Sequence, residues 1–355
     1  MTQPRALIVG GNGQLGCAAA KELIRAGWSV TLAGRGPRPP DAELDALGVS
    51  ELRLDREDTT SLIAAAHGRD LVLDVVAFTP AHGAQLAQLA GHVGSLVVIS
   101  TGAVYAGESG LPGEPAQAAD GFPVYPVPIS EDWPTLAGDG ADYGLRKAAL
   151  ERRLLSVEGL PVSILRPGTL HGPHSTSLHH WSFIKRALDG RPHAVLAFDG
   201  ASRFATSADA NVARLIRLCA ERPARRVLNA ADEDALTVAE IGSKIFAALG
   251  HEATIFTFPG PPREGGLGFN PWGIPHPVVL SMERARTELG YTEAIAYDDA
   301  LAQDIDWAVS AVAQAEASGR CWQDVFPGVI ARYGADGWFP YAAEDAYVAQ
   351  LTRAS

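Results

Sequence analysis

Tyr143 and Lys147 have side-chain types and a four-residue spacing that suit proton transfer in this 355-residue chain. In a helix, residues at this spacing lie on one face. A lysine cation close to a phenol favours the phenolate and lowers the phenol's pKa from about 10. Tyr143 could therefore exchange a proton with a substrate oxygen. Tyrosine and lysine often occur at this spacing by chance, so the pair gains weight only from its surroundings.

A hydroxyl pair, Ser100-Thr101, follows the apolar run Leu96–Ile99 upstream of this pair. Ligands of parallel α/β sheets bind beyond the carboxyl ends of the strands. We therefore expect Thr101 to hydrogen-bond the same substrate oxygen as Tyr143. A hydroxyl that only caps the end of the strand is the alternative.

A glycine motif, Gly10-Gly-Asn-Gly13-Gln-Leu-Gly16, lies between the buried apolar run Ala6–Val9 and a helical pattern. Gly10 would allow a tight turn, Gly13 would let the backbone approach a pyrophosphate, and Gly16 would permit close helix–strand packing. The helix N-terminus favours negative charge through its free N–H groups and its dipole. The motif therefore predicts a dinucleotide site, with a plain glycine turn as the alternative.

Arg35 indicates which dinucleotide is bound. It follows the predicted strand Trp28–Ala33, and no carboxylate occurs before Asp41. An acidic residue here would bind the ribose 2′-hydroxyl of NAD, whereas an arginine accommodates the 2′-phosphate of NADP. We therefore expect NADP rather than NAD, with a solvated surface arginine as the alternative. Asp55, after the third strand, could accept a hydrogen bond from the adenine amine or cap its own loop.

Strand and helix patterns alternate through the N-terminal part of the chain, which indicates an α/β fold with a parallel sheet covered by helices on both sides. The predicted strands are Ala6–Val9, Trp28–Ala33, Leu52–Leu54, Leu71–Val76, Leu96–Ile99, Val162–Leu165 and Val227–Ala230. The predicted helices are Leu15–Ala26, Leu62–Ala66, Gly83–Ala90, Tyr143–Val157, Ser182–Leu188, Asn211–Glu221, Thr237–Leu249, Ser281–Gly290 and Tyr297–Ala317. Thr237 and Glu240 form a capping-box pattern, and 259–277 is predicted to be irregular.

The predicted domain boundaries follow from these elements. Residues 1–166, completed by about 203–231, form the NADP-binding domain. Residues 167–202 and 232–318 form a smaller substrate domain. The segment 319–355 is an aromatic C-terminal extension that covers the pocket, contacts another subunit or packs on the chain's own core.

Composition excludes several classes of partner. Lysine and arginine number 29 against 41 aspartate and glutamate, a formal net charge of −12, which argues against a broad basic surface for nucleic acid or anionic lipid. Cys17, Cys219 and Cys321 lie far apart and form no CxxC pair, as expected in a reducing compartment. No signal-peptide core and no apolar stretch of about 18 residues is present. We therefore expect a cytoplasmic protein that binds neither nucleic acid nor membrane.

Six motifs occur in the order of a known family. They are Gly10-x-x-Gly13-x-x-Gly16, Ser100-Thr101-Gly-Ala-Val-Tyr105, Tyr143-Gly-Leu-Arg-Lys147, Ile164-Leu-Arg-Pro-Gly168-Thr-Leu-His-Gly172-Pro, Leu228-Asn-Ala-Ala-Asp232 and Ala285-x-x-x-Leu289-Gly-Tyr291. Over roughly residues 5 to 310 the chain resembles an extended short-chain dehydrogenase/reductase of the NAD-dependent epimerase/dehydratase type. The resemblance implies Thr101, Tyr143 and Lys147 as the catalytic trio, with Tyr143 as acid/base. It also implies a Rossmann-type domain with a doubly wound parallel sheet and a smaller substrate domain assembled from the C-terminal half. A homodimer formed through the helices Gly83–Ala90 and Tyr143–Val157 is a further implication.

Departures from the family pattern concern the substrate. Gly102-Ala103 stands where the dehydratases carry an Asp-Glu pair. Thr169 replaces the asparagine that sugar-nucleotide enzymes usually have, and His171 replaces a frequent tyrosine. Arg203 lies near, but out of register with, the arginine that often binds a nucleotide pyrophosphate. These differences argue against a nucleotide-sugar substrate.

A run of histidines (His171, His174, His179 and His180) could bind zinc, but no Cys, Asp or Glu joins it before Lys185, so no metal is predicted. The residues predicted to bind the cofactor are Gly10, Gly13, Gln14, Leu15, Gly16, Arg35, Asp55, Ala77, Tyr143, Lys147 and Pro167. The residues predicted to contact substrate are Thr101, Gly102, His171, Trp181 and Arg203. For His171 and Trp181, ordinary packing is the alternative.

The predicted function is that of an NADP(H)-dependent carbonyl reductase or alcohol dehydrogenase acting on a small polar metabolite. Thr101 and Tyr143 would polarise the carbonyl, and Lys147 would tune Tyr143 and bind the nicotinamide ribose. A sugar-nucleotide epimerase, in which the cofactor stays bound, is the alternative within the enzyme class. A non-catalytic dinucleotide sensor is the alternative outside it.

Overall fold

This computed structural model describes residues 3–36, 41–108, 121–138, 140–334 and 338–354. The strands are β1 (Arg5–Val9), β2 (Ser29–Gly34), β3 (Ser50–Arg53), β4 (Leu71–Asp74), β5 (Ser95–Ile99), β6 (Val162–Pro167), β7 (Thr169–His171), β8 (His193–Leu196), β9 (Thr206–Ala208), β10 (Arg226–Ala230) and β11 (Thr254–Thr257). The helices are α1 (Gln14–Arg25), α2 (Ala42–Ala46), α3 (Thr59–Ala66), α4 (Pro80–Ala87), α5 (Tyr143–Leu155), α6 (Trp181–Leu188), α7 (Asp209–Glu221), α8 (Val238–Ala248), α9 (Glu283–Leu289), α10 (Tyr297–Ala317), α11 (Trp322–Val325), α12 (Pro327–Tyr333) and α13 (Tyr341–Ala354).

Seven parallel strands form the main sheet in the order β10-β6-β5-β4-β1-β2-β3. Its inner strands β4 and β5 are mostly apolar and are buried along their whole length, which is what a sheet covered on both faces requires. The order reverses between β1 and β4. This is the arrangement of the Rossmann fold, whose ligands bind beyond the carboxyl ends of the strands at that reversal. The predicted fold class is confirmed.

The chain divides into two units. The first contains 1–170, 206–233 and 280–295, and the second contains 171–205, 234–279 and 296–355. This division differs from the predicted one mainly in two stretches: 280–295, with α9, belongs to the first unit, and 319–355 belongs to the second unit. The neighbour of 280–295 is β10, which it reaches through hydrogen bonds such as that from Asn229 Nδ2 to the Ser281 carbonyl, at 3.1 Å.

The second unit has a core of its own. Strands β8 and β11 pair in parallel, and α6, α8 and α10 supply buried residues including Trp181, Ile245 and Leu301. Thr237 and Glu240 form the predicted capping box at the start of α8. The β8–β11 pair is absent from the sequence prediction, because its strands are four residues long and their partners lie far apart in sequence.

The aromatic C-terminal segment packs on this core. Phe326, Val329 and Trp338 are members of it, and Glu344 forms a buried ion pair with Arg186 at 2.7 Å. The segment is helical in α11, α12 and α13, which its aromatic spacing did not predict. Among the described residues, no helix has the length and apolarity needed to cross a bilayer.

Candidate functional site

The glycine loop joins β1 to α1. Gly10 has a φ of +81°, and a Cβ on Gly16 would lie 2.6 Å from the Gly11 Cα, so α1 can pack this closely only with glycine there. Within the described residues, no side chain caps α1 and no acidic residue occupies its first turn. A Cβ on Gly13 would meet only the Gly10 carbonyl oxygen among the described atoms, at 3.7 Å. The loop thus leaves an open cradle at the positive end of a helix, which suits a pyrophosphate.

The predicted residues Gln14 and Leu15 occupy the first two positions of α1, where Gln14 is half-buried and Leu15 is buried. Arg35 follows β2 and is exposed. It lines a cavity of about 320 Å³ together with Asn12 and Arg53, two residues that the sequence prediction missed. Asp55 caps its own loop, because its carboxylate accepts a hydrogen bond from the Glu57 N–H at 3.0 Å.

Lys147 is buried, with 3% of its surface exposed. Its Nζ donates to the carbonyl of Ala77 at 2.7 Å and to the carbonyl of Ile99 at 2.8 Å. These carbonyls stand just beyond β4 and at the end of β5, so the lysine joins two strand ends where ligands bind in this fold. Burial lowers the pKa of Lys147 to about 8, although Asp74 and Glu151 favour its charged form. An ammonium has three donors, so one remains for another acceptor.

Tyr143 is the first residue of α5, and the Asp142 carboxylate caps this helix by accepting from the Gly144 N–H at 2.9 Å. The half-buried Tyr143 ring lies 6.0 Å from Lys147 Nζ, measured to the ring centroid. The Phe78 ring is 5.1 Å from it and 5.0 Å from Lys147 Nζ. The predicted pair is therefore on one helix face, against an aromatic side chain that the sequence prediction did not include.

Gly144 allows α5 to approach the turn that follows β5. A Cβ at this position would collide with the carbonyl oxygen of Ala103 and would lie 2.9 Å from Leu136 Cδ1. The first turn of α5, which carries Tyr143, is thus pressed against the turn that carries Thr101. Spacing alone could not reveal this, because the contact joins segments forty residues apart.

Thr101 caps a short 3₁₀ helix, Gly102–Val104, and its Oγ1 accepts from the Ala103 N–H at 3.2 Å. The hydroxyl keeps its own O–H to donate. Gly102 is closely surrounded, since a Cβ there would lie 3.3 Å from Leu280 and 3.4 Å from the Pro167 carbonyl oxygen. The structure thus brings Thr101, Gly102 and Pro167 together, and a larger residue at 102 would require its neighbours to move.

A buried ion pair lies next to the end of β5, close to Thr101. Arg166 contacts both carboxylate oxygens of Glu151, the shortest distance being 2.6 Å, and both side chains are about 95% buried. Burial would lower the pKa of Arg166, but Glu151 raises it above its ordinary value. Ser100, next to Thr101, donates to the same carboxylate. The pair therefore connects β6 and α5 to the end of β5.

Asp74 and Arg56 form a second buried pair, 2.9 Å apart. Asp74 ends β4 and is fully buried, and its carboxylate also accepts from the Val76 N–H at 2.9 Å. It is the carboxylate that most strongly favours the charged form of Lys147. The sequence prediction extended this strand to Val76 and so included neither the strand end at Asp74 nor the pairing with Arg56.

Three predicted substrate residues lie in the second unit, and packing accounts for two of them. Trp181 is 1% exposed and contacts the Phe326 ring. His171 is equally buried, and its Nδ1 lies 2.8 Å from Asp304 Oδ2. Packing therefore accounts for the burial of both side chains, and their contact with substrate stays a prediction. Arg203 is partly exposed and donates to the Ala235 carbonyl.

His171, His180 and Asp304 form a cluster whose ligand-type atoms lie within 4.8 Å of one another. The His180 Nδ1 is 3.0 Å from Asp304 Oδ2, and its Nε2 is 3.0 Å from the Tyr297 hydroxyl. Burial would raise the pKa of Asp304, but both histidines hold it below its usual value. Hydrogen bonds among these side chains account for the short distances without a metal ion. That no metal binds here stays a prediction.

Comparisons with known proteins agree with this architecture. Residues 6–231 match the profile of the NAD dependent epimerase/dehydratase family. A 2′-dehydrokanamycin reductase from Streptomyces kanamyceticus is 29% identical over 257 residues, which span 69% of this chain and 67% of that protein.

Solved structures with the same fold include UDP-glucose 4-epimerase from Thermotoga maritima with UDP-glucose, at 18% identity and a TM-score of 0.65, covering 86% of this chain and 99% of that one. The enzyme WbmG from Bordetella bronchiseptica, in complex with NAD and UDP, is 20% identical with a TM-score of 0.64, covering 87% and 96%. At these identities the likeness establishes the fold alone.

Proposed function

The chain belongs to the NAD dependent epimerase/dehydratase family and is an NAD(P)-dependent enzyme, and we propose that it is an NADP(H)-dependent carbonyl reductase or alcohol dehydrogenase acting on a small polar metabolite. The observation that carries the proposal is the group formed by Tyr143, Lys147 and Thr101. It combines a phenol close to a buried cation with a hydroxyl that can donate.

The cofactor fits the first unit. The open cradle above Gly13 suits the pyrophosphate, and Arg35 suits a 2′-phosphate. When bound, NADPH supplies a hydride to the carbonyl carbon. We assign the proton to Tyr143, which donates it to the carbonyl oxygen, while Thr101 donates a hydrogen bond to the same oxygen. The Lys147 ammonium makes the phenolate left on Tyr143 more stable.

Two observations favour net reduction over the other chemistries of the family. Gly102 and Ala103 carry no acid to expel water, and a larger side chain at position 102 would require Leu280 or Pro167 to move. The curated relative is named as a reductase. A keto group on an amino sugar is therefore the first substrate class to test, and a net charge of −12 favours the approach of a cationic substrate.

The test is NADPH oxidation, followed by absorbance, with a panel of ketones on amino sugars, neutral sugars and small polyols. We expect stoichiometric oxidation with at least one of them, and its loss in Tyr143→Phe. Tyr347→Phe, which changes a tyrosine of α13, is the matched control. Epimerisation of a sugar nucleotide without net NADPH oxidation would assign the protein to the epimerases. If the Tyr143→Phe variant had the same enzymatic and cellular phenotype as the wild type, a non-catalytic dinucleotide sensor would be favoured.

A further inference from the structure

A second arginine shares the cavity that Arg35 lines. The cavity lies at the carboxyl ends of β2 and β3, and Arg35, Glu51 and Arg53 supply its charged walls. Arg53 is the last residue of β3 and pairs in register with Gly34, the residue before Arg35. The Leu54 N–H donates to the Gly34 carbonyl at 2.9 Å, which fixes the two arginine-bearing segments side by side.

Neither guanidinium of this cavity forms an ion pair with a described carboxylate. β3 is the edge strand of the sheet, and charged residues are common on edge strands because they prevent aggregation. Arg53 differs from such a residue in its position. Asn12, from the glycine loop, donates to the Gly36 carbonyl at 2.5 Å, so the cavity adjoins the loop that suits the pyrophosphate.

The two arginines can bind one ligand together. Arg53 ends β3 beside the segment that carries Arg35, and both residues line the same cavity. Each guanidinium group can bind phosphate through two parallel hydrogen bonds, so a doubly charged phosphate can accept from both.

We propose that Arg53 is a second specificity-determining residue for the cofactor and that it binds the 2′-phosphate of the adenosine ribose together with Arg35. The inference rests on the proposed function, since it deepens the preference for NADP.

The experiment is titration calorimetry of the full-length protein with NADPH, NADH, 2′,5′-ADP and 5′-AMP. Arg53→Ala is expected to weaken NADPH and 2′,5′-ADP by about tenfold or more, since each charge-assisted pair contributes that much. Binding of NADH and 5′-AMP should stay within about twofold. Arg153→Ala removes an exposed arginine of α5 and serves as the control with unchanged affinities.

The outcomes separate the inference from the proposed function. Equal wild-type affinities for NADPH and NADH would overturn the NADP assignment itself. A wild-type preference for NADPH that Arg35→Ala removes and Arg53→Ala leaves intact would overturn only the role of Arg53. Equal weakening of NADPH and NADH by Arg53→Ala would also overturn it, because the arginine would then not distinguish the 2′-phosphate.

Discussion

Replacing Gly144 by alanine tests how closely α5 must approach the turn after β5. Van der Waals contacts between carbon atoms are favourable at about 3.5–4.0 Å, whereas the new Cβ would lie 2.9 Å from Leu136 Cδ1 and closer still to the Ala103 carbonyl oxygen. Relief of the carbonyl collision requires a displacement of about 1 Å. The change adds a single methyl group, so its effect is local.

The turn cannot readily supply this displacement. The Ala103 N–H is bonded to Thr101 Oγ1 at 3.2 Å, and the Leu136 N–H donates to the Val104 carbonyl at 2.8 Å. The first turn of α5 must therefore move and carry Tyr143 with it. A misplacement of about 1 Å can lower a rate about 100-fold, so we expect Gly144→Ala to lower kcat for carbonyl reduction by about that factor.

The assay is the rate of NADPH oxidation with the carbonyl substrate selected from the panel. Ala149→Ser, which adds one heavy atom later in α5, is the control and should retain its rate. Alanine ordinarily stabilises a helix by about 1 kcal/mol relative to glycine. A loss of activity in Gly144→Ala could therefore not be attributed to a lower helix propensity. A variant that keeps more than half of the wild-type kcat would refute the claim that this contact positions Tyr143.

Three further outcomes are expected. Glu151→Gln leaves Arg166 buried without a counter-charge and should lower the free energy of unfolding by about 3 kcal/mol or more, measured by urea denaturation. The double variant with Arg166→Met should recover part of this loss. Strictly additive losses in the two single variants and the double variant would contradict the pairing. The kcat/KM for reduction should fall above about pH 8, because burial lowers the pKa of Lys147 to about 8 and the charged lysine is the active form. Asp74→Asn removes a carboxylate that favours the charged lysine, so it should shift this fall to lower pH. A pH–rate profile that Asp74→Asn leaves unchanged would refute the role of Lys147. Asp304→Asn removes the negative charge shared by two buried imidazoles and replaces one accepting oxygen by an NH2 group. It should lower Tm in scanning calorimetry, whereas an unchanged Tm would show that the cluster does not stabilise the second unit.

Patterns of neighbouring residues were enough to predict much of the fold. The apolar runs of β4 and β5 and the glycine motif before α1 are contiguous in sequence, and each implies its structure through neighbouring residues. Helix α5 begins at Tyr143, as predicted, because Asp142 is a good N-cap. The β8–β11 pair was missed because short strands depend on a distant partner for their stability.

The supporting contacts of the site could not be predicted in this way. Lys147 is held by carbonyls 70 and 48 residues earlier in the chain, and a backbone carbonyl leaves no mark on residue type. The buried imidazole of His171 is paired with the carboxylate of Asp304, which lies 133 residues later in the chain. Arg53 was not singled out, because its value depends on the pairing of β3 with β2 and not on any local motif.

The position of β10 beside β6 has a consequence for synthesis of the protein. About 60 residues separate the end of β6 from the start of β10, so at about 5–20 residues per second the ribosome needs roughly 3–12 seconds to supply the closing strand. During that interval the buried strand β6 forms an unprotected sheet edge with unpaired N–H and C=O groups. A nascent polypeptide stalled before residue 226 would therefore be a substrate for chaperones or a seed for aggregation.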